Sequence, residues 1–275
     1  MAKDYAVWRM DSVLEPWPIA DGAAQAVVTS PPYWSRRSYG DDDAELGQGD
    51  DLDAYVDSLV SCFREAHRVL AGDGLLWVNL GDSSAKSGGA GGDYNKGGRK
   101  EGQRKYRQGR SGLPGPQYAL VPFRFALAMQ ADGWLVRKSI VWDKSPTVRP
   151  EDPNHVRRPL EAHEHIFMLA PGRNRFDRAG LELAGELGDV WHFQPETRAR
   201  QDSKGNRHPA PYPPELPLRC LRASGVKPGE LVVDPFHGSG SSGDAARELG
   251  CGYVGMDLYV GRQRRRSRGS SRTTR

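Results

Sequence analysis

One stretch near the C-terminal end limits the folds open to this chain more than any other. Residues 231–257, LVVDPFHGSGSSGDAARELGCGYVGMD, read as an apolar strand, a glycine turn, a short helix and a second apolar strand that ends in an acid. Strands joined through a helix lie parallel in one sheet, and a parallel sheet needs helices on both faces. Gly238, Gly240 and Gly243, in Gly-x-Gly-x-x-Gly order, let backbone amides approach a ligand, and Asp257 stands where an acid can hold two ribose hydroxyls. At the first strand's tip Asp234 offers a carboxylate to a cationic amino-acid group, and Phe236 offers a ring to adenine, with Pro235 and Ser239 in the same turn. The unit reads as a nucleoside site. S-adenosyl-L-methionine has both the amino-acid group and the adenine, whereas NAD has only the adenine.

The rest of the chain alternates in the same way. Apolar runs at QAVVTS, GLLWVNLGD, LVRKSIVWDK and EAHEHIFMLAP predict strands, and helical spacing predicts helices over 51–71, in YALVPFRFALAMQADGW and near PPELPLRCLRASG, the first ended by Gly72 and Gly74. The expectation is an α/β fold with a doubly wound, largely parallel sheet and helices on both faces. Residues 1–260 form one domain in this reading. It carries a flexible, basic, glycine-rich insertion at 83–116 and a short irregular segment at 171–207, and a basic disordered tail follows at 261–275.

The formal net charge of +4 hides a division of charge. Residues 96–110 and 261–275 each hold seven Lys or Arg, with one acid between them; without these segments 25 bases face 34 acids, a body of about −9. Basic arms rich in Gly and Ser point to a polyanion. Cys62, Cys220 and Cys251 have no metal or disulfide spacing, and no run is long enough to span a bilayer, so the chain reads as soluble and cytoplasmic, with no membrane partner. His163 and His165 form a His-x-His pair, which on an apolar strand reads as packing, so no metal is expected.

Residues 29–34, TSPPYW, follow an apolar strand with two prolines and two aromatics. Pro31 and Pro32 stiffen the turn and remove two backbone donors, which frees local carbonyls for other work. With SPPY ahead of DPFHGSG, and with VVTSPPYW, YVDSLVSCFREAHRVLAGDGLLWVNLGD, ALAMQADGWLVRKSIVWDK, RPLEAHEHIFMLAP, HPAPYPPELPLRCLRAS and YVGMD in succession, the chain resembles the β-class DNA amino-methyltransferases over most of residues 20–260. In that family the catalytic tetrad precedes the cofactor motif, a permuted order.

The resemblance implies a Rossmann-like methyltransferase fold, S-adenosyl-L-methionine as cofactor and double-stranded DNA as partner. It allows a cognate restriction endonuclease, and it places the protein in a bacterial or phage setting, working on the nucleoid. Ser30, Pro31, Pro32 and Tyr33 would be catalytic: the Ser30 hydroxyl and a neighbouring carbonyl engage an exocyclic amine, and Tyr33 stacks on a base turned out of the duplex. Asp234, Pro235, Phe236, Gly238, Ser239, Gly240 and Asp257 would line the cofactor, with His208 and Pro209 toward its methionine end. Asn79, Gly81 and Asp82 would adjoin the tetrad, and Trp34 and Tyr39 would border the base pocket. In the basic insertion Arg99, Lys100, Arg104 and Lys105 would meet phosphates. Serine in the tetrad favours cytosine N4 over adenine N6. Methylation at ring carbon 5 needs a cysteine beside proline, and no Pro-Cys pair occurs. A non-catalytic DNA-binding protein on the same fold is the reading from another class, and an NAD-dependent oxidoreductase leaves TSPPYW without a use.

Overall fold

The structure, a computed structural model, describes residues 5–36, 45–85, 94–95, 98–99, 109–114, 117–144, 161–183, 185, 187–195 and 212–259. In chain order the elements are β1 Tyr5–Arg9, β2 Ala24–Thr29, α1 Leu52–Val69, β3 Leu70–Leu80, β4 Ser84–Ala85, β5 Tyr94–Asn95, β6 Gly98–Arg99, β7 Gln117–Tyr118, α2 Val121–Ala131, β8 Leu135–Asp143, β9 His163–Ala170, α3 Arg178–Glu182, β10 Val190–His192, α4 Glu215–Ala223, β11 Leu231–Asp234, α5 Ser241–Glu248 and β12 Gly252–Asp257. One eight-stranded sheet has the order β1-β12-β11-β2-β3-β9-β8-β10. β9 runs antiparallel to both β3 and β8, and the other neighbouring pairs are parallel. The expected doubly wound, largely parallel sheet is what the chain forms.

The order matters for function. β2, from near the start of the chain, lies between β11, from near its end, and β3. Ligands of such sheets bind beyond the carboxyl ends of the strands, so both halves of the sequence supply the same edge.

The sheet is buried on both faces, and β3 shows how. Leu76, Val78 and Leu80 enter one core with Leu59 and Phe63 of α1 and Phe125 and Met129 of α2. Leu75 and Trp77, pointing the other way at the two-residue period of a strand, enter a second core with Leu216, Cys220 and Leu221 of α4, Ala245 of α5 and Trp191 of β10. Double burial explains the nearly unbroken apolar run in the sequence. All three cysteines are buried. No helix among the described residues is long and apolar enough to cross a membrane.

Two expectations need correction, and one strand has no counterpart in the sequence reading. The stretch 171–207 is not irregular throughout, since it contains α3 and β10, and β10 adds a parallel edge to β8. Three residues are too few for a visible period. β1 was not expected; it pairs with β12 and closes the opposite edge. Gly72 and Gly74 do not end α1, because Leu70 already adopts extended backbone (φ −71°, ψ 138°) and the chain passes straight into β3.

The two sides of the helical layer should differ sharply on truncation. Leu59→Ala, at a fully buried site, is expected to cost about 2–5 kcal/mol in urea unfolding, whereas Leu127→Ala, 66% exposed on α2, should change stability by under about 0.5 kcal/mol. Similar losses at both sites would contradict the packing described.

Candidate active site

At the carboxyl edge the ends of β2 and β11 are locked together. The Thr29 hydroxyl donates to Asp234 Oδ1 at 2.6 Å across 205 residues of sequence. The tetrad Ser30–Tyr33 leaves β2 from this point, and the turn 235–240 leaves β11 beside it. The two motifs expected to share a site therefore lie side by side.

The side expected to face the cofactor is built by the glycine turn. Gly238 (φ +51°) and Gly240 (φ +85°) adopt left-handed backbone, which side chains other than glycine rarely accept, and Gly240 caps α5 without help from any side chain. Gly243 answers to packing instead, since a Cβ there would lie 2.5 Å from the Tyr5 hydroxyl and 2.9 Å from Tyr253 Cε1. Asp257 holds the turn: its Oδ2 accepts from Gly238 N and its Oδ1 from Tyr259 N, both at 2.8 Å. Each oxygen retains a lone pair for a ribose hydroxyl. A backbone-lined turn, a helix start that no side chain caps and a carboxylate at the next strand end form a donor and acceptor set that fits S-adenosyl-L-methionine.

Asp234 is fully buried and already engaged. Besides Thr29, Phe236 N donates to its Oδ1 at 3.0 Å and the Tyr212 hydroxyl to its Oδ2 at 3.3 Å. Burial pushes its pKa up against these hydrogen bonds. The carboxylate expected to meet the cofactor's amino group is thus a strut inside the sheet, while half-buried Phe236 lies at the surface of the core. Pro235 takes part through its carbonyl, which accepts from Ser12 Oγ at 2.7 Å, so the chain after β1 also braces the turn. His237 donates to or accepts from the Tyr253 hydroxyl at 2.8 Å and packs over Gly255, and burial holds its pKa down. Ser239 lies half-buried in the turn. His208 and Pro209 lie outside the described residues; Tyr212, from the same block, also bonds Ser242, and its carbonyl accepts from Ser241 Oγ at the start of α5.

On the tetrad side the Tyr55 hydroxyl of α1 donates to the Pro32 carbonyl at 2.8 Å, fixing the second proline. Ser30 Oγ lies 3.5 Å from the Tyr33 hydroxyl, which donates to Glu164 Oε2 at 2.6 Å. Asn79 Nδ2 donates to Tyr33 Oη and Glu164 Oε2, both at 2.8 Å, and reaches Ser30 Oγ at 3.5 Å. Lys144 Nζ pairs with Glu164 Oε1 at 2.8 Å. Burial alone would push Glu164 upward, but Lys144, Tyr33 and Asn79 outweigh it and hold the carboxyl below its usual range. The Tyr33 ring covers Gly81, where a Cβ would sit 2.7 Å from Tyr33 Cε2. Asn79 and Gly81 thus join the tetrad as expected. Asp82 does not: its Oδ1 accepts from Ser83 N at 2.7 Å and Val121 N at 3.0 Å, capping α2, and burial raises its pKa.

Trp34 is a correction. Among the described residues it lines no open surface but is 1% exposed, with its indole Nε1 donating to Asp50 O at 3.0 Å. Gly109, near the end of the basic stretch 96–110, lies against this indole and donates its backbone N–H to Ser35 Oγ at 2.6 Å. The end of that basic stretch is therefore anchored directly behind the tetrad. Tyr39, Lys100, Arg104 and Lys105 lie outside the described residues, as does the side chain of Arg99. His163 and His165 behave as a packing pair: His165 stacks on Phe167 and lies 3.3 Å from Ser139 Oγ.

The residues that sequence reasoning missed are Thr29, Glu164, Lys144, Tyr55 and Tyr212. A signal existed for Glu164, because an acid between two histidines on an otherwise apolar strand must find a cation or donors if buried.

The N6/N4 methyltransferase family model, described as DNA methylase, matches residues 24–264. The Type II methyltransferase M.Cfr9I of Citrobacter freundii is 35% identical over 248 residues, covering 87% of this chain and 79% of the relative. M.SmaI of Serratia marcescens is 34% identical over 255 residues, covering 84% and 79%. Among solved structures, the PvuII DNA methyltransferase (cytosine-N4-specific) aligns with a TM-score of 0.68 at 20% identity, covering 94% of this chain and 83% of that one. TTHA0409 of Thermus thermophilus, a putative DNA modification methylase complexed with S-adenosyl-L-methionine, aligns at 0.61 and 21% identity, covering 94% and 90%. The two structural likenesses establish the fold. The chain belongs to the N6/N4 DNA methylase family, whose members are S-adenosyl-L-methionine-dependent DNA amino-methyltransferases.

The Thr29 to Asp234 link makes a prediction with a definite sign. The folded pKa of Asp234 lies above its unfolded value, so its contribution to stability is full in acid and is lost as pH rises through the folded pKa. Thr29→Val removes a donor that favours the charged form. It should destabilise by about 1–3 kcal/mol on the alkaline side and by less in acid, where the carboxyl is neutral. Urea unfolding at two pH values checks this, and an equal loss at both would refute it.

Proposed function

We propose that the protein transfers the methyl group of S-adenosyl-L-methionine to the exocyclic N4 amine of a cytosine turned out of a DNA duplex. The observation that carries this reading is the junction of β2 and β11, which sets Ser30–Tyr33 beside the glycine turn 238–240. When bound, the cofactor supplies an electrophilic sulfonium methyl. The chain's own work is to prepare the nucleophile. An aromatic amine is a poor nucleophile because its lone pair is delocalised into the ring, and acceptors on its N–H groups draw the nitrogen toward tetrahedral geometry. Ser30 Oγ is one acceptor. Because Tyr55 already holds the Pro32 carbonyl, the Pro31 carbonyl serves as the second.

Support for cytosine comes from serine in the first place of the tetrad and from the shared fold with a cytosine-N4-specific enzyme. Support for DNA as substrate comes from family membership, and from the basic stretch 96–110, anchored behind the tetrad by Gly109 and Arg110. Phosphate contacts by Arg99, Lys100, Arg104 and Lys105 would then give affinity without sequence choice. The Type II relatives suggest that a cognate restriction endonuclease accompanies the enzyme in a bacterial cytoplasm.

Two variants separate the halves of the site. Ser30→Ala should slow single-turnover transfer on the order of 100-fold while leaving cofactor affinity intact. Asp257→Ala should weaken cofactor binding by roughly 1.5–3 kcal/mol in calorimetry. If Ser30→Ala weakened cofactor binding as much as Asp257→Ala, the two halves would be wrongly assigned.

A further inference from the structure

The half-buried pair of Glu164 and Lys144 ends the hydrogen-bond chain that begins at Ser30. We infer that Glu164, in ionised form, is a positioning residue that sets the hydrogen-bond polarity of the target-amine site, acting through Tyr33 and Asn79. The inference rests on the reading that this site methylates an exocyclic amine.

The direction of each hydrogen bond is set by where the protons sit. An ionised carboxylate only accepts, so the Tyr33 hydroxyl, 2.6 Å from Glu164 Oε2, must donate to it. Tyr33 Oη can then only accept from its other neighbours, Asn79 Nδ2 at 2.8 Å and Ser30 Oγ at 3.5 Å. With its hydrogen turned toward Tyr33, Ser30 Oγ meets a ligand with lone pairs alone. That is the polarity a target amine requires, because an amine presents N–H donors.

The Asn79 amide shows the same influence. Its Nδ2 faces Glu164 Oε2, Tyr33 Oη and Ser30 Oγ, while its Oδ1 is buried with no hydrogen-bond partner among the described residues. Turning the amide over would set Oδ1 against the carboxylate, so the orphaned acceptor is the lesser cost. Asp82, the acid nearest Asn79 along the chain, turns its Oδ1 instead to the backbone N–H groups of Ser83 and Val121.

The groups around Glu164 make the charge stable. Lys144, just past β8, supplies the ion pair, and Tyr33 and Asn79 supply donors from the tetrad loop and β3; the Arg36 guanidinium is coupled to Glu164 but pairs directly with Glu161 at 2.6 Å, and burial holds the neighbouring His165 toward its neutral form. The ion pair and the two donors hold the carboxyl below its usual range, and transfer should hold its rate until pH falls through that lowered pKa.

Glu164→Gln keeps the shape but lets the amide either donate or accept, so the chain loses its direction. Single-turnover transfer to DNA should fall on the order of 100-fold, with DNA and cofactor dissociation constants within about twofold of the unsubstituted protein. Lys144→Met should move the acid limb of the rate profile to higher pH. It should also produce, in the protein without cofactor or DNA, an infrared band of a protonated buried carboxyl at neutral pH. Lys144→Met combined with Glu164→Gln should lack that band. Tyr33→Phe, which removes the relay, should make Glu164→Gln nearly silent when the two are combined. Full transfer by Glu164→Gln beside a crippled Ser30→Ala would overturn this inference alone. An unmoved acid limb in Lys144→Met would also overturn it. No transfer by the unsubstituted protein would overturn the methyltransferase reading and this inference together.

Discussion

A hydroxyl and a buried carboxylate hold the two ends of the sequence to one purpose. Thr29 and Asp234 close the gap between β2 and β11, and each is the last residue of its strand. The rigid SPPY turn begins directly after Thr29, and the glycine turn begins directly after Asp234. Asp234 bears the cost of full burial because Thr29, Phe236 N and Tyr212 surround it with donors. If that junction opened, the nucleophile side and the cofactor side would still exist but would no longer share an edge.

Around this junction the site is layered by charge. One half uses Asp257 and backbone amides, the vocabulary of nucleoside binding. The other uses an ion pair, Glu164 with Lys144, removed from the reacting edge by one tyrosine and one asparagine. The Glu164 carboxylate oxygen that faces Tyr33 and Asn79 can orient their dipoles without competing for the base. Behind the tetrad, Trp34 is withdrawn into the core, where it anchors Asp50 and packs against Gly109. The end of the basic stretch 96–110 is thereby fixed close to the SPPY turn.

Much of this was legible in the residues because local chemistry dictated it. The βαβ unit at 231–257 was readable from two apolar runs and glycines that only a tight turn explains, and SPPY from a stiffness no ordinary strand end requires. What escaped was set by long-range partners. β1 and β10 are short edge strands whose identity comes from β12 and β8, and the roles of Glu164 and Lys144 exist only because β8 and β9 bring them together. Trp34 was misread for a related reason: an aromatic beside a catalytic motif suits either a pocket wall or an anchor, and the distant Asp50 and Gly109 decide for the anchor. Asp82 was misread likewise, because α2 takes its carboxylate as a cap.

The central claim is that this edge methylates the exocyclic amine of cytosine in DNA. The most direct measurement is nucleoside mass spectrometry of duplex DNA incubated with the protein and methyl-labelled S-adenosyl-L-methionine. The account predicts labelled N4-methylcytosine. Labelled N6-methyladenine as the sole product, or no labelled nucleoside, would contradict it.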